Sequence, residues 1–387
     1  MDSIFSIHVD TARTWRGGQR QVLLTVLGLR ELGHRALLVA HPDGELAQRA
    51  AEGHDLIRLA PRTEVDLHAG WKLSRIIKDL RPDIVHAHDP HAVAVASLAL
   101  SFMTSGKCPA LIASRRVAFH LKGHAFSRWK YHQVDCFVAA SDAIHQMLIE
   151  DGIDRERVAT VHEGIDLHRV QAEPRANIHA EFWLPTNAPV VGAVAALTQE
   201  KGHKYLIDAA ALVVREVPDA RFVILGEGDL RPALERQIKE LRLDKHVLLP
   251  GFRADILAFI RSFDLFVMSS LAEGLGTSLL DAMALSKATV ASDTGGIPEV
   301  VSHGETGLLV TPRDHRALAA AISALLKDQG RRDRMGKAGV ERVKRLFTAE
   351  RMVEKTLDVY RSHTGGHSGH PGDTDHATGS ANQPARG

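Results

Sequence analysis

The sequence predicts an α/β protein built from two successive doubly wound, Rossmann-like domains. Three observations indicate this class. Short β-rich runs alternate with amphipathic helical segments through the first half of the chain, the alternation is interrupted once, and it then starts again. Such alternation is typical of parallel sheets covered by helices on both faces. A chain of 387 residues is long enough for two domains and a tail.

The first domain is predicted to span residues 1–168. Its predicted strands are Ser3–Asp10, Arg35–His41, Asp55–Ala60, Asp83–Asp89, Ala110–Arg116, Cys136–Ala140 and Val158–Val161. Its predicted helices are Gly18–Leu32, Ala69–Leu80, His91–Phe102 and Asp142–Glu150. The segment Asp166–Ala188 has two prolines, many charges and no clean period, which indicates an interdomain linker with a short helix.

The second domain is predicted to span residues 169–345. Its predicted strands are Val190–Ala195, Arg221–Leu225, His246–Leu249, Leu265–Ser269, Ala288–Ser292 and Gly307–Val310. Its predicted helices are His203–Glu216, Leu230–Leu241, Ile256–Arg261, Thr277–Leu285, Ile297–Val301 and Arg316–Lys327, followed by a helix-prone run over residues 331–363. Residues 362–387 are rich in Gly, Ser, His and Asp, so we expect a disordered tail. Two such domains imply a cleft between them, with ligands at the carboxyl ends of the strands.

Composition excludes some functions. Lys and Arg number 48 and Asp and Glu 47, so the overall charge gives no reason to expect nucleic acid as a partner. The two cysteines are expected to be buried thiols in a reducing compartment. The N-terminus lacks the pattern of a signal peptide, and the longest apolar run, Ala92–Leu100, is too short to cross a bilayer. We expect a cytoplasmic protein, with peripheral attachment to the inner face of the membrane left open.

The segment from Glu273 to Asp281 carries the strongest chemical signal. Its Gly-rich turn leads into a helix that begins at Thr277, and a helix N-terminus attracts phosphate. Glycines allow a ligand to approach the backbone, and carboxylates accept hydrogen bonds from vicinal hydroxyls. Together these features predict a pocket for a nucleotide sugar. The donor-binding candidates here are Gly274, Leu275, Gly276, Thr277, Ser278 and Asp281, with Glu273 as a catalytic candidate.

Further candidates follow other predicted strands. Lys201 comes next to a helix start, where its charge opposes the dipole but suits a diphosphate, and it is the second catalytic candidate. The turns that follow the remaining strands add donor-side candidates, although the Gly-x-Gly turn is about as consistent with a plain tight turn. These are Gly17, Gly18, Gly226, Gly228, Gly251, Phe252 and Arg253.

The acceptor side is assigned to a cationic rim on the first domain and to one glycine pair on the second. Its candidates are His88, Arg115, Arg116, His120, Gly295 and Gly296, with a solvated loop as the alternative for the cations. The cluster His86, His88, Asp89 and His91 superficially suggests a metal. Strand alternation lets only His86 and His88 share a face, so we expect hydrogen bonding there and no metal site.

In their order and spacing, these motifs resemble the retaining glycosyltransferases of family 4, which have the GT-B fold. The resemblance runs from about Ile4 to Tyr360 and is strongest in the second domain. It implies a nucleotide-sugar donor held mainly by the second domain, an acceptor against the first, and a final helix, residues 346–361, that crosses back to the first domain. The acceptor is expected to be a glycan, a lipid-linked molecule or a small molecule. The resemblance gives Glu273 contact with the donor sugar hydroxyls and Asp281 contact with the ribose. No cofactor or metal is expected.

Three departures from the family pattern affect the site. Position 281 is Asp where Glu is usual, and Glu163 stands where the family usually has Asn. The family commonly has an Arg five residues before its Lys, and this chain has Ala196. Lys201 and the helix start at Thr277 are therefore expected to carry more of the phosphate charge.

The sequence predicts transfer of a sugar, with retention, to a hydroxyl in lipopolysaccharide or exopolysaccharide synthesis. Two alternatives remain open at this point. A GT-B nucleotide-sugar epimerase would convert the donor without an acceptor. A protein that binds nucleotide sugars without turning them over would be consistent with Ala196.

Overall fold

The computed structural model describes residues 3–50, 55–103, 108–121 and 123–364. Its first sheet has seven strands: β1 Phe5–Asp10, β2 Arg35–Ala40, β3 Leu56–Arg58, β4 Ile84–Ala87, β5 Ala110–Arg115, β6 Cys136–Ala139 and β7 Val158–Thr160. They are parallel and lie in the order β3-β2-β1-β4-β5-β6-β7. All seven lie where the sequence predicts a strand.

Six helices connect these strands: α1 Gly17–Glu31, α2 Glu45–Ala50, α3 Leu67–Leu80, α4 Pro90–Ser101, α5 Ala125–His132 and α6 Asp142–Glu150. The sequence does not predict α2 or α5. Both are short, and α5 mixes aromatic and basic residues without a clear apolar period. α5 is instead held by capping, since the His124 ring accepts a hydrogen bond from the Ser127 amide.

The second sheet has six parallel strands: β8 Val190–Val194, β9 Arg221–Leu225, β10 Val247–Gly251, β11 Leu265–Met268, β12 Thr289–Ser292 and β13 Gly307–Val310. Their order is β10-β9-β8-β11-β12-β13. The surrounding helices are α7 Leu167–Ala172, α8 Ile178–Glu181, α9 His203–Glu216, α10 Arg231–Glu240, α11 Ile256–Ser262, α12 Thr277–Ala284, α13 Ile297–Val300, α14 His315–Lys327 and α15 Gln329–Leu346. The predicted architecture of two doubly wound sheets is confirmed.

The last helix, α16 Ala349–Thr364, returns to the first domain and packs on α1. Met352, Val353, Leu357 and Tyr360 enter the core formed by one face of the first sheet and α1. The helix begins and ends three residues later than predicted. The rest of the predicted tail, residues 365–387, lies outside the described residues.

The chain crosses between the domains twice, and the two crossings lie side by side. Ile165 donates a backbone hydrogen bond to Phe347 and accepts one from Ala349. The side-chain amide of Gln21 on α1 bonds both the carbonyl and the amide of Gly164. The crossings and α1 are therefore joined by hydrogen bonds.

Two remaining expectations concern the cysteines and the membrane. Cys136 is buried, but Cys108, which lies just before β5, is exposed, so the expectation of two buried thiols is wrong for Cys108. Among the described residues, no helix combines the length and apolar character needed to cross a membrane.

The contact between α1 and α16 leaves no room for a larger side chain at Gly28. A β-carbon at Gly28 would lie 2.6 Å from a methyl group of Val353. We expect Gly28→Val to lower the free energy of unfolding by about 1–3 kcal/mol, the usual cost of overpacking. In denaturant unfolding, Gly28→Val should lower the free energy of unfolding by less in a Val353→Ala background than in the wild type. Leu27→Val, at an exposed position of the same helix, is the control. An equal loss with and without Val353→Ala would contradict this account.

Candidate active site between the two domains

The four loops that carry the main candidates follow the strands on either side of the point where the strand order of each sheet reverses. In the first sheet β1 and β4 flank this point, and in the second β8 and β11 do. Gly17 follows β1, His88 follows β4, Lys201 follows β8 and Glu273 follows β11. Ligands of doubly wound sheets bind at these positions. Strand order thus gathers residues that are far apart in sequence.

The two domains come into close contact here at two glycines. A β-carbon on Gly274 would lie 2.0 Å from the carbonyl oxygen of Arg116, and one on Gly17 would lie 2.8 Å from the Thr277 hydroxyl. Gly276 precedes α12 with φ of 94° and has no side chain to cap the first turn. The N-terminus of α12, which begins at Thr277, therefore lies close to that of α1. Neither helix has an acidic residue in its first turn, so both positive ends can serve an anion.

Three ion pairs occupy the cleft. Lys201 Nζ lies 2.7 Å from Glu273, which also accepts a hydrogen bond from the Ser270 hydroxyl at 3.1 Å. Arg20 Nη1 lies 3.0 and 3.1 Å from the two oxygens of Asp281. Arg116 Nε lies 3.2 Å from Glu163. Buried ion pairs add little to stability, and their concentration in a cleft is typical of a functional site.

Burial shifts the ionisation of both members of the third pair toward their neutral forms. It lowers the pKa of Arg116 and raises the pKa of Glu163, although each charge opposes the shift in the other. Arg20, Lys201 and Glu273 also act on Glu163, so all three pairs share one electrostatic environment. Asp10, at the end of β1, has its pKa raised to about 6 by burial and by the nearby Asp89.

The glycine turns on the donor side pack closely on the loop after β8. β-carbons on Gly226 and Gly228 would lie 2.0 and 2.5 Å from the carbonyl oxygens of Ala195 and Leu197. Phe252, after Gly251, has 61% of its surface exposed, so its ring is available to a ligand. The guanidinium of Arg253 is not available to a ligand, because it is paired with Asp255 and Glu181.

The structure separates the cationic candidates of the acceptor side. Arg116 points into the cleft, with Nη1 and Nη2 within 3.4 Å of His88 Nδ1. Arg115, one residue earlier on the strand, is buried and donates to the carbonyl of Phe119. His120 pairs with Asp151 at 2.6 Å on an exposed loop. Only Arg116 and His88 of these four candidates are thus brought together, and the acceptor role of all four stays a prediction.

A chain of buried hydrogen bonds runs behind Arg116. It links Tyr360 Oη to His86 Nδ1 at 2.7 Å, His86 Nε2 to Ser114 Oγ at 2.8 Å, and Ser114 Oγ to His88 Nδ1 at 3.3 Å. His88 Nε2 then meets His8 Nδ1 at 2.9 Å. Burial keeps the histidines neutral, with the pKa of His86 and His88 held well below 6.5.

These three histidines also have nitrogens close enough for a metal ion. His8 joins His86 and His88 because β1 pairs with β4 and places His8 directly beside His86. The remaining ring nitrogen, His8 Nε2, bonds Ser6 Oγ at 3.0 Å, so every ring nitrogen of the three has a hydrogen-bond partner. This arrangement favours hydrogen bonding over metal binding. Of the other predicted cluster members, Asp89 caps α4 and His91 is exposed.

Glu299 joins the domains at the edge of the cleft. Its carboxylate accepts hydrogen bonds from the amides of Asp142 and Ala143 at 2.8 and 2.9 Å, at the start of α6. His162 Nε2 lies 2.7 Å from the same group. Gly296 lies close by, since a β-carbon there would be 2.8 Å from Cβ of Ser141. Gly295 instead approaches the Glu273 carbonyl of its own domain, so only Gly296 of this pair lies against the first domain, and the acceptor role of both glycines stays a prediction.

Sequence reasoning missed Arg20, His8 and the ion-pairing role of Glu163. The unusual Glu at position 163 could have indicated the ion pair, because a carboxylate in place of the family's usual Asn needs a nearby cation when it is buried. Arg20 gave no comparable signal, since its partner Asp281 is 261 positions away.

Comparison with known proteins connects this geometry to a family. Residues 15–169 match the model described as Glycosyltransferase Family 4, and residues 174–342 match Glycosyl transferases group 1. The alpha-maltose-1-phosphate synthase of Mycolicibacterium smegmatis is 31% identical over a region that covers 62% of this chain and 67% of the synthase. The chain belongs to glycosyltransferase family 4. The predicted family is therefore confirmed, and the protein is a glycosyltransferase.

Other similarities agree with this assignment. The glycosyltransferase is 26% identical to the lipopolysaccharide core biosynthesis glycosyltransferase LpsE of Rhizobium meliloti, over 89% of this chain and 96% of LpsE. The crystal structure of Anabaena Alr3699/HepE in complex with UDP-glucose superposes with a TM-score of 0.80 at 21% identity, covering 93% of this chain and all of that one. The second similarity shows that the fold is shared.

The histidine chain predicts acid sensitivity. Burial lowers the pKa of His8 from 6.5 to about 3, whereas the unfolded chain takes up that proton below about pH 6.5. A proton bound only by the unfolded chain favours unfolding. Above pH 6.5 neither state binds the proton, so His8 has no such effect. Between pH 6.5 and 3 the free energy of unfolding falls by about 1.4 kcal/mol for each unit that the pH decreases.

His8→Gln should remove this contribution, so its free energy of unfolding should fall less steeply from pH 6.5 to 4.5 than that of the wild type. Asp10, whose pKa is raised to about 6, acts in the opposite direction in both proteins. Denaturant unfolding at several pH values measures the two slopes. His91→Gln, at an exposed histidine, should keep the wild-type slope. Equal slopes for wild type and His8→Gln would show that His8 is not the group responsible.

Proposed function

We propose that the protein is a retaining glycosyltransferase that moves a sugar from a nucleotide diphosphate sugar to a hydroxyl acceptor. The observation that carries this proposal is the Lys201–Glu273 pair, 2.7 Å apart, beside the uncapped start of α12. A cation and a helix N-terminus suit a diphosphate, and the adjacent carboxylate suits sugar hydroxyls. The binding of UDP-glucose by Anabaena HepE, which shares the fold, supports a nucleotide-sugar donor.

In this proposal each donor group has a matching partner. The diphosphate lies at Lys201 and the first-turn amides of Thr277 and Ser278. The ribose hydroxyls bond Asp281, which lies one turn further along α12, and the sugar hydroxyls bond Glu273. The exposed ring of Phe252 supports the base. Glu273 and Asp281 thus bind hydroxyls instead of acting as an acid–base pair.

The chemical step makes use of the leaving group. The acceptor hydroxyl attacks the anomeric carbon from the face that the diphosphate leaves, through an oxocarbenium-like state, and the departing diphosphate takes the acceptor proton. The protein contributes by holding the reactants in position and by stabilising the developing negative charge. Lys201 and the start of α12 supply that stabilisation.

We assign the acceptor to the first-domain side of the cleft, where Arg116 and His88 lie. We further propose a role in lipopolysaccharide or exopolysaccharide synthesis at the cytoplasmic side of the membrane. The similarity to LpsE, named for lipopolysaccharide core biosynthesis, supports this setting.

A thermal-shift screen with UDP-, GDP-, ADP- and CDP-sugars tests the donor. A donor that binds the folded state raises the melting temperature. The donor found in this way should be transferred to an acceptor with retention and in the presence of EDTA. If none of these sugars binds, the proposal fails. Conversion of the donor without an acceptor would instead identify an epimerase.

Lys201→Ala should nearly abolish transfer. Loss of one contact to the developing charge costs on the order of 100-fold in rate. Initial-rate assays with the identified donor measure this effect, and circular dichroism checks that the fold is intact. Lys204→Ala removes an exposed cation three residues away and should keep wild-type activity. Unchanged activity of Lys201→Ala would refute its role.

A further inference from the structure

The second domain holds fewer cations at the phosphate position than the family pattern implies. Ala196 replaces the usual Arg, and its carbonyl accepts a hydrogen bond from His203 at 3.0 Å. Arg253 has all three guanidinium nitrogens bonded to Asp255 and Glu181, so it is not available. A second cation for the diphosphate must therefore come from another part of the cleft.

Arg20 of the first domain is placed to supply it. Gly17 at the start of α1 faces Thr277 at the start of α12, and one turn later on both helices Arg20 meets Asp281. The two helices thus approach each other at their N-terminal ends, and the Arg20 side chain lies within one turn of both N-termini. This is the position that the diphosphate takes in the proposed function.

Arg20 also has hydrogen-bonding capacity that the protein does not use. Asp281 engages Nη1 alone, and Nε is buried with no hydrogen-bond partner among the described residues. A buried donor without a partner is unfavourable, and a guanidinium can give parallel hydrogen bonds to phosphate oxygens. Arg116 differs, since Glu163 and His88 engage all three of its guanidinium nitrogens.

We propose that Arg20 binds the donor diphosphate and takes the place of the Arg missing at position 196. In the free enzyme Arg20 neutralises Asp281. When the donor enters, the ribose hydroxyls bond Asp281, and Arg20 turns its free edge to the diphosphate. The ion pair thus keeps both groups oriented until the donor replaces their mutual contact. This inference rests on the proposed function, because it assumes a nucleotide diphosphate in the cleft.

The test compares nucleosides with nucleoside diphosphates. Calorimetry measures the binding of UDP, GDP, ADP and CDP, and of the matching nucleosides, to wild type, Arg20→Gln, Arg20→Lys and Arg128→Gln. Arg128 is an exposed first-domain cation on α5 and serves as the control. Arg20→Gln should weaken binding of the preferred diphosphate roughly tenfold or more, since hydrogen bonds to charged groups are among the strong ones. It should leave nucleoside binding within about twofold or tighten it. Arg20→Lys should recover part of the loss.

Three outcomes count against the inference in different ways. Equal weakening of nucleoside and diphosphate would show that Arg20 only orients Asp281. Unchanged diphosphate binding in Arg20→Gln, with circular dichroism showing an intact fold, would overturn the inference and leave the proposed function standing. If the wild type binds none of the four diphosphates, the proposed function and the inference fall together.

Discussion

The close approach of backbone to backbone at Gly274 is the constraint on which the cleft depends. The carbonyl of Arg116 occupies the space that any side chain at position 274 would need. The same two backbone segments carry the Arg116 side chain and, next to Gly274, the Glu273 side chain. Their contact therefore fixes the separation between a first-domain cation and the second-domain carboxylate that pairs with Lys201. A β-carbon at this point would move the two sheets apart and loosen every ion pair between them.

The charges of the cleft balance before any substrate enters. Three cations face three carboxylates, and each ion is held by a partner that a nucleotide sugar could replace with its own hydroxyls or phosphates. Under the proposed function, this arrangement favours a ligand that carries both hydroxyls and phosphates at the correct spacing. A ligand with only one of them would break an ion pair and leave the other partner unsatisfied.

Much of the fold follows from the sequence because the thirteen strands coincide with short β-rich runs between turn signals. The missed helices α2 and α5 lack a clear apolar period; α2 is held by burial of Leu46 and Ala47, and α5 by its His124 cap. Within the site, the sequence shows which loops carry functional residues but not which side chains those residues contact. Choosing between Arg115 and Arg116 depends on the direction each side chain takes where β5 ends, and pairing Arg20 with Asp281 depends on how the two domains meet. Similarly, His8 joins His86 only because strand order places β1 beside β4.

The paired crossings of the chain have a mechanical consequence. Because hydrogen bonds tie Ile165 to Phe347 and Ala349, a rotation of one sheet against the other would bend both connections at the same point, which would then serve as the hinge. Gln21 bonds Gly164 at this hinge from the same helix that carries Gly17 and Arg20. A rotation that opens the cleft at Glu299 would thus be transmitted along α1 to its N-terminus. Opening of the cleft and release of the phosphate end of a ligand would then be parts of one movement.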